Sequence, residues 1–314
     1  MLAPQLEIEL GQCSHAGTKA INQDFYGASI PPAPLLHRKG AAFAIADGIS
    51  SSGVSQIASE TAIKSFLNDY YCTSDAWSIA HAAEQVVRAT NAWLYSQTRH
   101  SPYWQDPDKG YVCTFTALII HPLQVCVVHL GDTRLYRVRD QRLELLTRDH
   151  RHYTHQKSYL SKALGAYPQV DIDHQQFTPK ENDLFLLMTD GLYEFVKESD
   201  ILYHLANAAS LDDAAQQLIA TALAAGSQDN LTVQIIRIVA LKTPIGNQSF
   251  ALVNPDGLAV PPILNEGDSF DGFNIVKTLH SSARSHLYLV EDAAKKNRMV
   301  LKHLRLSKPK ISVI

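Results

Sequence analysis

Long apolar runs are absent from this 314-residue sequence, and cysteine is scarce. A membrane-spanning helix needs about 18 or more consecutive apolar residues, so none is expected and no membrane partner is predicted. The first ten residues lack a basic cluster and include Glu7 and Glu9, which argues against a secretory signal.

Scattered cysteines in apolar surroundings predict reduced, buried thiols in a cytoplasmic protein and no disulfide framework or zinc site. They are Cys13, Cys72, Cys113 and Cys126.

Strong charge of either sign is also absent, since 28 Lys and Arg stand against 31 Asp and Glu. With 46% apolar residues, the chain has enough apolar side chains to build a large core, which excludes disorder for most of its length. Residues 268–314 are nevertheless basic, with nine Lys and Arg against four Asp and Glu. The asymmetry indicates two units but is too mild to predict nucleic acid binding.

Hydrophobic periodicity predicts a chain with many strands and few long helices. Alternating apolar residues predict strands at 6–13, 24–30, 41–46, 112–120, 124–130, 133–139, 141–146, 183–189 and 231–238. Helical spacing predicts helices over 54–71, 77–97 and 211–224. Periodicity is lost over 241–267, which is rich in proline and glycine and is predicted to be a linker. Because strands and helices do not alternate regularly, the fold class is predicted to be α+β.

The residues that point to chemistry are aspartates next to apolar segments. Asp47-Gly48 and Asp190-Gly191 each end an apolar strand, and Asp24, Asp132 and Asp229 also lie at predicted element ends. Carboxylates without His or Cys companions favour Mg²⁺ or Mn²⁺ over zinc. Asp-Gly and Gly-Asp are also the commonest turn dipeptides, so each aspartate alone is better explained as a turn residue, whereas five of them at strand ends together favour a shared metal site.

The order of the motifs resembles that of the metal-dependent protein phosphatases of the protein phosphatase 2C type, over about residues 6–240. The matching segments are Asn22-Gln23-Asp24, Ala46-Asp47-Gly48, Gly131-Asp132-Thr133-Arg134, Asp149-His150, Ala163-Leu164-Gly165, Thr189-Asp190-Gly191 and Gln228-Asp229-Asn230. The resemblance implies a four-layer α-β-β-α sandwich with two antiparallel sheets. It also implies hydrolysis of phosphoserine and phosphothreonine in proteins by a metal-activated water. We therefore predict a catalytic domain over 1–240, the linker over 241–267 and a small β-rich fragment over 268–314.

The same resemblance implies a role for each matching position. Asp47 would bridge two Mg²⁺ or Mn²⁺ ions, and Gly48 would offer its carbonyl oxygen to one of them. Asp190 and Asp229 would be direct ligands, Asp24 would act through water, and Asp132 would bind a third ion. Asn230 would orient Asp229.

Two features depart from, or add to, the family pattern. Where the family usually has an arginine that binds the substrate phosphate, this chain has Lys19, which keeps the charge but loses the planar fork. A solvated loop lysine is the competing interpretation. His150, His152 and His155 lie close together at the start of a segment, about 150–172, which the resemblance implies to be a mobile flap, and their spacing fits no common zinc site. General-acid help to the leaving oxygen by a histidine stays open. We expect a structural role for His150 and solvated positions for the other two.

The basic tail, residues 268–314, resembles the opening strands of a protein kinase domain, with Lys302 at the position of the ATP-phosphate lysine. The loop 280–284 has no glycine, so it cannot form a glycine-rich phosphate cradle, and no kinase activity is expected from this chain. A kinase is a possible partner. Two alternatives stay open: a pseudophosphatase that binds phosphoproteins as a module attached to a kinase domain, and a phosphatase of small molecules.

Overall fold

A computed structural model describes residues 5–153, 158–242, 264–270, 272–281, 285–292 and 297–304. The chain divides into two compact units, Met1–Pro244 and Ile245–Ile314. Most of the predicted linker, residues 243–263, lies outside the described residues, as does His155. In the described residues, no helix is both long and apolar enough to cross a membrane.

The first unit contains two five-stranded antiparallel sheets. The first sheet has the order β1 (Gln5–His15), β12 (Leu231–Lys242), β11 (Leu184–Met188), β6 (Arg134–Arg139) and β7 (Arg142–Leu145). The second has the order β10 (Asp173–Phe177), β5 (Gln124–Leu130), β4 (Phe115–His121), β3 (Ala41–Asp47) and β2 (Asp24–Ser29). A two-stranded hairpin joins β8 (Arg151–Tyr153) to β9 (Ser158–Leu160).

Helices cover the outer faces of both sheets. Their bounds are α1 (Leu35–Lys39), α2 (Ser55–Cys72), α3 (Ile79–Arg99), α4 (Asp190–Tyr193), α5 (Glu198–Asn207) and α6 (Leu211–Ala224), with a short 3₁₀ turn at Pro107–Lys109. Helices α2 and α3 pack on the second sheet, α4 to α6 pack on the first, and a third apolar cluster fills the space between the sheets. The predicted α+β sandwich is confirmed.

Strand β3 explains why its sequence reads as a continuous apolar run. Its residues Ala41 to Ala46 have no exposed surface. Side chains alternate across a strand, so Phe43 and Ile45 enter the core between the sheets while Ala44 packs against helices α2 and α3. A strand buried on both faces is held rigidly, and it carries Asp47 at its end.

Sequence periodicity missed strand β10 and helix α5. The sequence of β10 is Asp-His-Gln-Gln-Phe, with three exposed residues in the middle, so it has no apolar alternation. Helix α5 has one buried residue, Ile201, and therefore only a weak apolar stripe.

The prediction of buried thiols is wrong for Cys72, which is exposed at the C-terminal end of α2, and Cys13 is only half-buried.

The described residues of the second unit form a four-stranded antiparallel sheet in chain order. Its strands are β13 (Ser269–Phe270), β14 (Phe273–Ser281), β15 (Ser285–Asp292) and β16 (Arg298–Leu304). Leu264, Ile275, Tyr288 and Val290 form its small buried core. The three strands predicted for the tail are present, and Lys302 lies in β16 opposite Leu287.

Candidate active site

Two of the predicted aspartates are brought together by strand pairing. Asp24 begins β2 and Asp47 ends β3, and the antiparallel register places them directly opposite each other. Thr114 fixes the end of β3, because its hydroxyl accepts a hydrogen bond from the Asp47 amide at 2.8 Å and its own amide donates to the Asp47 carbonyl at 2.8 Å. The position of both carboxylates is therefore set by the second sheet.

The other three aspartates lie in connections at the same end of the sandwich. Asp132 lies between β5 and β6, Asp190 follows β11 as the first residue of α4, and Asp229 precedes β12. The charges of all three, together with that of Asp24, act on Asp47 and raise its pKa, after the larger effect of burial. All five predicted aspartates therefore lie at one end of the sandwich, close enough for the charges of the other four to act on Asp47.

Asp24 has a buried carboxylate. Its Oδ2 accepts hydrogen bonds from the hydroxyls of Thr189, at 2.9 Å, and Thr232, at 2.7 Å. Its buried Oδ1 receives no hydrogen bond within the described ranges. Burial raises the pKa of Asp24 to about 7, against the opposing effect of the two hydroxyls. Thr189 belongs to the Thr189-Asp190-Gly191 motif, but the sequence analysis assigned no role to it or to Thr232; they come from the turn after β11 and from β12.

Asp190 is also destabilised as an anion. Burial and then the charge of Asp132 raise its pKa to about 6, although Arg151 acts in the opposite direction. Carboxylates that are desolvated and close to one another disfavour their own negative charges. A multivalent cation would stabilise such a cluster, because it compensates several negative charges at once. All the donor atoms are oxygens, which Mg²⁺ and Mn²⁺ prefer as ligands.

Gly48 lies beside this cluster with no room for a side chain. Its amide donates to the Gln23 carbonyl at 3.1 Å, and it pairs with Cys113 in an isolated bridge. A Cβ atom at Gly48 would lie 2.8 Å from the backbone of Ser55. The start of helix α2 is therefore packed directly against the Asp47-Gly48 turn.

Lys19 also reaches the cluster, but its partner is one of the aspartates. Its ammonium group forms an ion pair with Asp229 and donates a hydrogen bond to the Ser50 hydroxyl at 2.8 Å. About 30% of the Lys19 side chain is exposed, so the ammonium group is neither buried nor freely solvated. The lysine thus lies beside the carboxylate group, on the Asp229 side.

Asn230 holds the Lys19 loop against the Asp229 turn. Its side-chain amide donates to the carbonyls of Ala16, at 2.9 Å, and Ile21, at 3.1 Å. Its Oδ1 accepts from the Gln23 amide at 2.8 Å, and its backbone amide donates to Asp229 Oδ1 at 2.7 Å. The backbone amide of Asn230 contacts Asp229, whereas its side chain joins the Lys19 loop to the Asp229 turn, a role that the sequence did not indicate.

Arg151 is a charged residue at this site that the sequence analysis also missed. Its guanidinium group pairs with Asp132, with Asp190 at 2.6 Å and with Glu194 at 2.9 Å. In the described part of the chain, no three His, Cys, Asp or Glu side chains stand together as ready metal ligands. Arg151 and Lys19 are paired with three of the aspartates instead.

His150 has a structural environment, as expected. Its Nδ1 accepts a hydrogen bond from the Gly131 amide at 3.1 Å, and its Nε2 lies 3.0 Å from Asp173. The ring stacks on His129, 4.9 Å away. Burial lowers the pKa of His129 to about 4, so that ring is neutral. Both nitrogens of His150 are engaged in anchoring the segment that leads to Arg151.

Comparison with known proteins agrees with this fold and these motifs. The family model for Protein phosphatase 2C matches residues 12–233, more than two thirds of the chain. The chain therefore belongs to the protein phosphatase 2C family, as the motif order predicted.

Two relatives and one solved structure illustrate the similarity. The serine/threonine phosphatase stp of Listeria welshimeri is 26% identical over 215 residues, which cover 61% of this chain and 82% of the relative. The serine/threonine protein phosphatase PstP of Mycobacterium tuberculosis is 28% identical over 215 residues, covering 62% of this chain and 40% of the relative. The crystal structure of the catalytic domain of PstP in complex with two manganese ions is 25% identical, with a TM-score of 0.62, and the match covers 75% of this chain and all of that domain.

Proposed function

We propose that this chain is a metal-dependent protein phosphatase that hydrolyses phosphoserine and phosphothreonine with Mg²⁺ or Mn²⁺. The observation that carries the proposal is the placement of five aspartates at one end of both sheets, where Asp24 lies opposite Asp47 and the charges of the other three also act on Asp47. Family membership and relatives named as serine/threonine phosphatases support the same activity.

The residues around Asp47 fit the proposed ions. All five candidate side chains offer oxygen, and the buried Oδ1 of Asp24 is an acceptor that receives no hydrogen bond in the described residues. When bound, two such ions lower the pKa of a shared water and neutralise charge on the phosphoryl oxygens. Asp47, Asp190, Asp229 and the carbonyl of Gly48 would hold them, and Asp132 remains the candidate ligand of a third.

Other residues of the chain would position these ligands and the substrate. Thr189 and Thr232 hold Asp24 Oδ2 in one orientation, which leaves Oδ1 to accept a hydrogen bond from a water. Asn230 ties the Lys19 loop to the Asp229 turn. Lys19 would then bind the substrate phosphate from beside Asp229.

The test of the proposed function is phosphate release from a phosphothreonine peptide, with Mn²⁺ and with EDTA. We expect turnover with Mn²⁺ and none with EDTA. Para-nitrophenyl phosphate serves as the small-molecule comparison, and faster hydrolysis of that ester with no peptide hydrolysis would favour a small-molecule phosphatase.

One observation favours a second candidate, a pseudophosphatase that binds phosphoproteins without hydrolysing them. Lys19 and Arg151 already neutralise part of the carboxylate charge at the site. In the same assay, this candidate predicts peptide binding without phosphate release at any Mn²⁺ concentration.

Lys19 provides the first prediction by mutation. If its ammonium group binds the substrate phosphate, K19A should raise KM about tenfold or more, because a hydrogen bond to a charged group contributes about 1.5–3 kcal/mol. K19R should preserve KM, and K64A, which removes an exposed lysine paired with Glu60, should change nothing. A fall in kcat at unchanged KM would instead place Lys19 with Asp229 and the ions.

The tail gives the second prediction. We propose that residues 268–314 form a kinase-like fragment without nucleotide binding, attached to a phosphatase domain over 1–240, and that a kinase is a possible partner. Deleting 268–314 should leave hydrolysis of para-nitrophenyl phosphate unchanged within about twofold. Micromolar ATP binding by the full chain that is lost in K302A would contradict this proposal.

A further inference from the structure

Arg151 uses each guanidinium nitrogen for a different carboxylate. Its Nε donates to Asp132, its Nη2 to Asp190 at 2.6 Å and its Nη1 to Glu194 at 2.9 Å. Only 16% of the side chain is exposed, and Asp132 is exposed to only 7%. One cation is thus shared among three carboxylates in a largely desolvated position.

The backbone on both sides of Arg151 is fixed. The His150 amide donates to the Gly131 carbonyl at 2.8 Å, and the Gly131 amide donates back to the His150 ring. The Ser161 amide donates to the His150 carbonyl at 2.8 Å, and Arg151 pairs with Leu160 across the β8–β9 hairpin. Because Gly131 directly precedes Asp132, the arginine and this carboxylate are held by one local network.

The oxygens that Arg151 occupies are those that a further ion would need. Oδ2 of Asp132 and Oδ2 of Asp190 both face its N–H groups. A divalent cation bound to the same oxygens would displace these hydrogen bonds and lie within a few ångströms of the guanidinium charge. Arginine stays protonated at all relevant pH values, so it cannot yield by losing its charge.

We propose that the Arg151 guanidinium is a tethered cation that occupies the position between Asp132 and Asp190, so that this chain holds two divalent ions and not three. The inference rests on the proposed function, because it assumes a metal site around Asp47. It makes Arg151 a positioning residue that sets the number of ions and orients Asp190, whose other oxygen, Oδ1, stays available to the ions.

The test is the number of Mn²⁺ ions bound per full-length chain, measured by equilibrium dialysis against millimolar Mn²⁺ and metal analysis. We expect two ions for the unmodified protein, three for R151Q and R151S, and two for R151K, which restores the charge. R148Q removes an exposed arginine three residues earlier and should bind two. The double variant D132N/R151Q should return to two, because the third ion loses a ligand.

The outcomes separate the two proposals. The inference alone would be overturned if the unmodified protein and a folded R151Q or R151S variant all bound two ions. It would also be overturned if the unmodified protein bound three. No bound Mn²⁺ in the unmodified protein would overturn the proposed function together with the inference. A thermal unfolding transition shows whether each variant is folded. If either R151Q or R151S does not fold, the other neutral replacement still provides the test.

Discussion

Replacing Asp47 with asparagine is expected to lower kcat by about 10³-fold or more with Mn²⁺ present, since the catalytic effect of the ions depends on how they are held. Asp47 is the carboxylate on which the charges of the other four predicted aspartates all act. An amide offers one neutral oxygen where a carboxylate offers two with a negative charge. The variant would therefore hold the ions less tightly and less well placed.

The same change should leave the fold intact. Burial and four neighbouring carboxylates raise the pKa of Asp47, so the charged form is already disfavoured in the metal-free protein. We expect the metal-free D47N variant to unfold at the temperature of the unmodified protein or above it. D69N, the same change at an exposed position of helix α2, is the matched control for activity and stability. Wild-type turnover in a D47N protein would show that Asp47 is not a metal ligand.

A methyl group at Gly191 is expected to damage both stability and activity. A Cβ atom there would lie 2.1 Å from the Asn230 carbonyl oxygen and 3.1 Å from the Asp229 Cβ. The contact is with backbone, so no side-chain rotation relieves it. The Ser227 hydroxyl, which donates to the Gly191 carbonyl at 2.7 Å, holds the two segments together. The G191A variant must therefore move the Asp229 turn away from Asp190.

We expect G191A to lose about 3 kcal/mol of unfolding free energy, at the upper end for an overpacked site. For a domain of this size that corresponds to about 6–12 °C in the unfolding midpoint. Mn²⁺ affinity and kcat should fall as well, because two candidate ligands separate. G53A is the control, since a Cβ at Gly53 would meet nothing within 4 Å. Equal midpoints for G191A and G53A would mean that the two turns are not tightly packed.

The apolar patterns in the sequence were sufficient for most of the sandwich. Strands such as β3 and β11 are buried on both faces, and their uninterrupted apolar runs, each followed by an aspartate, were visible without any structure. The order of the motifs then predicted the family, which the family comparison confirmed. Elements with few buried residues were missed: β10 is mostly exposed, and α5 buries only Ile201.

The residues of the candidate site also fall into two groups, those identified from the sequence and those that only the structure showed. The five candidate aspartates were identified from the sequence because each lies at the end of an apolar segment. Their neighbours were not, because those contacts join residues far apart in the chain: Thr232 is 208 positions from Asp24, and Arg151 is 39 from Asp190. Periodicity reports which face of an element is buried, and it carries no information on which charged side chain approaches from another element. The sequence therefore determined the sandwich and the candidate ligands, whereas only the tertiary structure decided that Lys19 pairs with Asp229 and that Arg151 lies between Asp132 and Asp190.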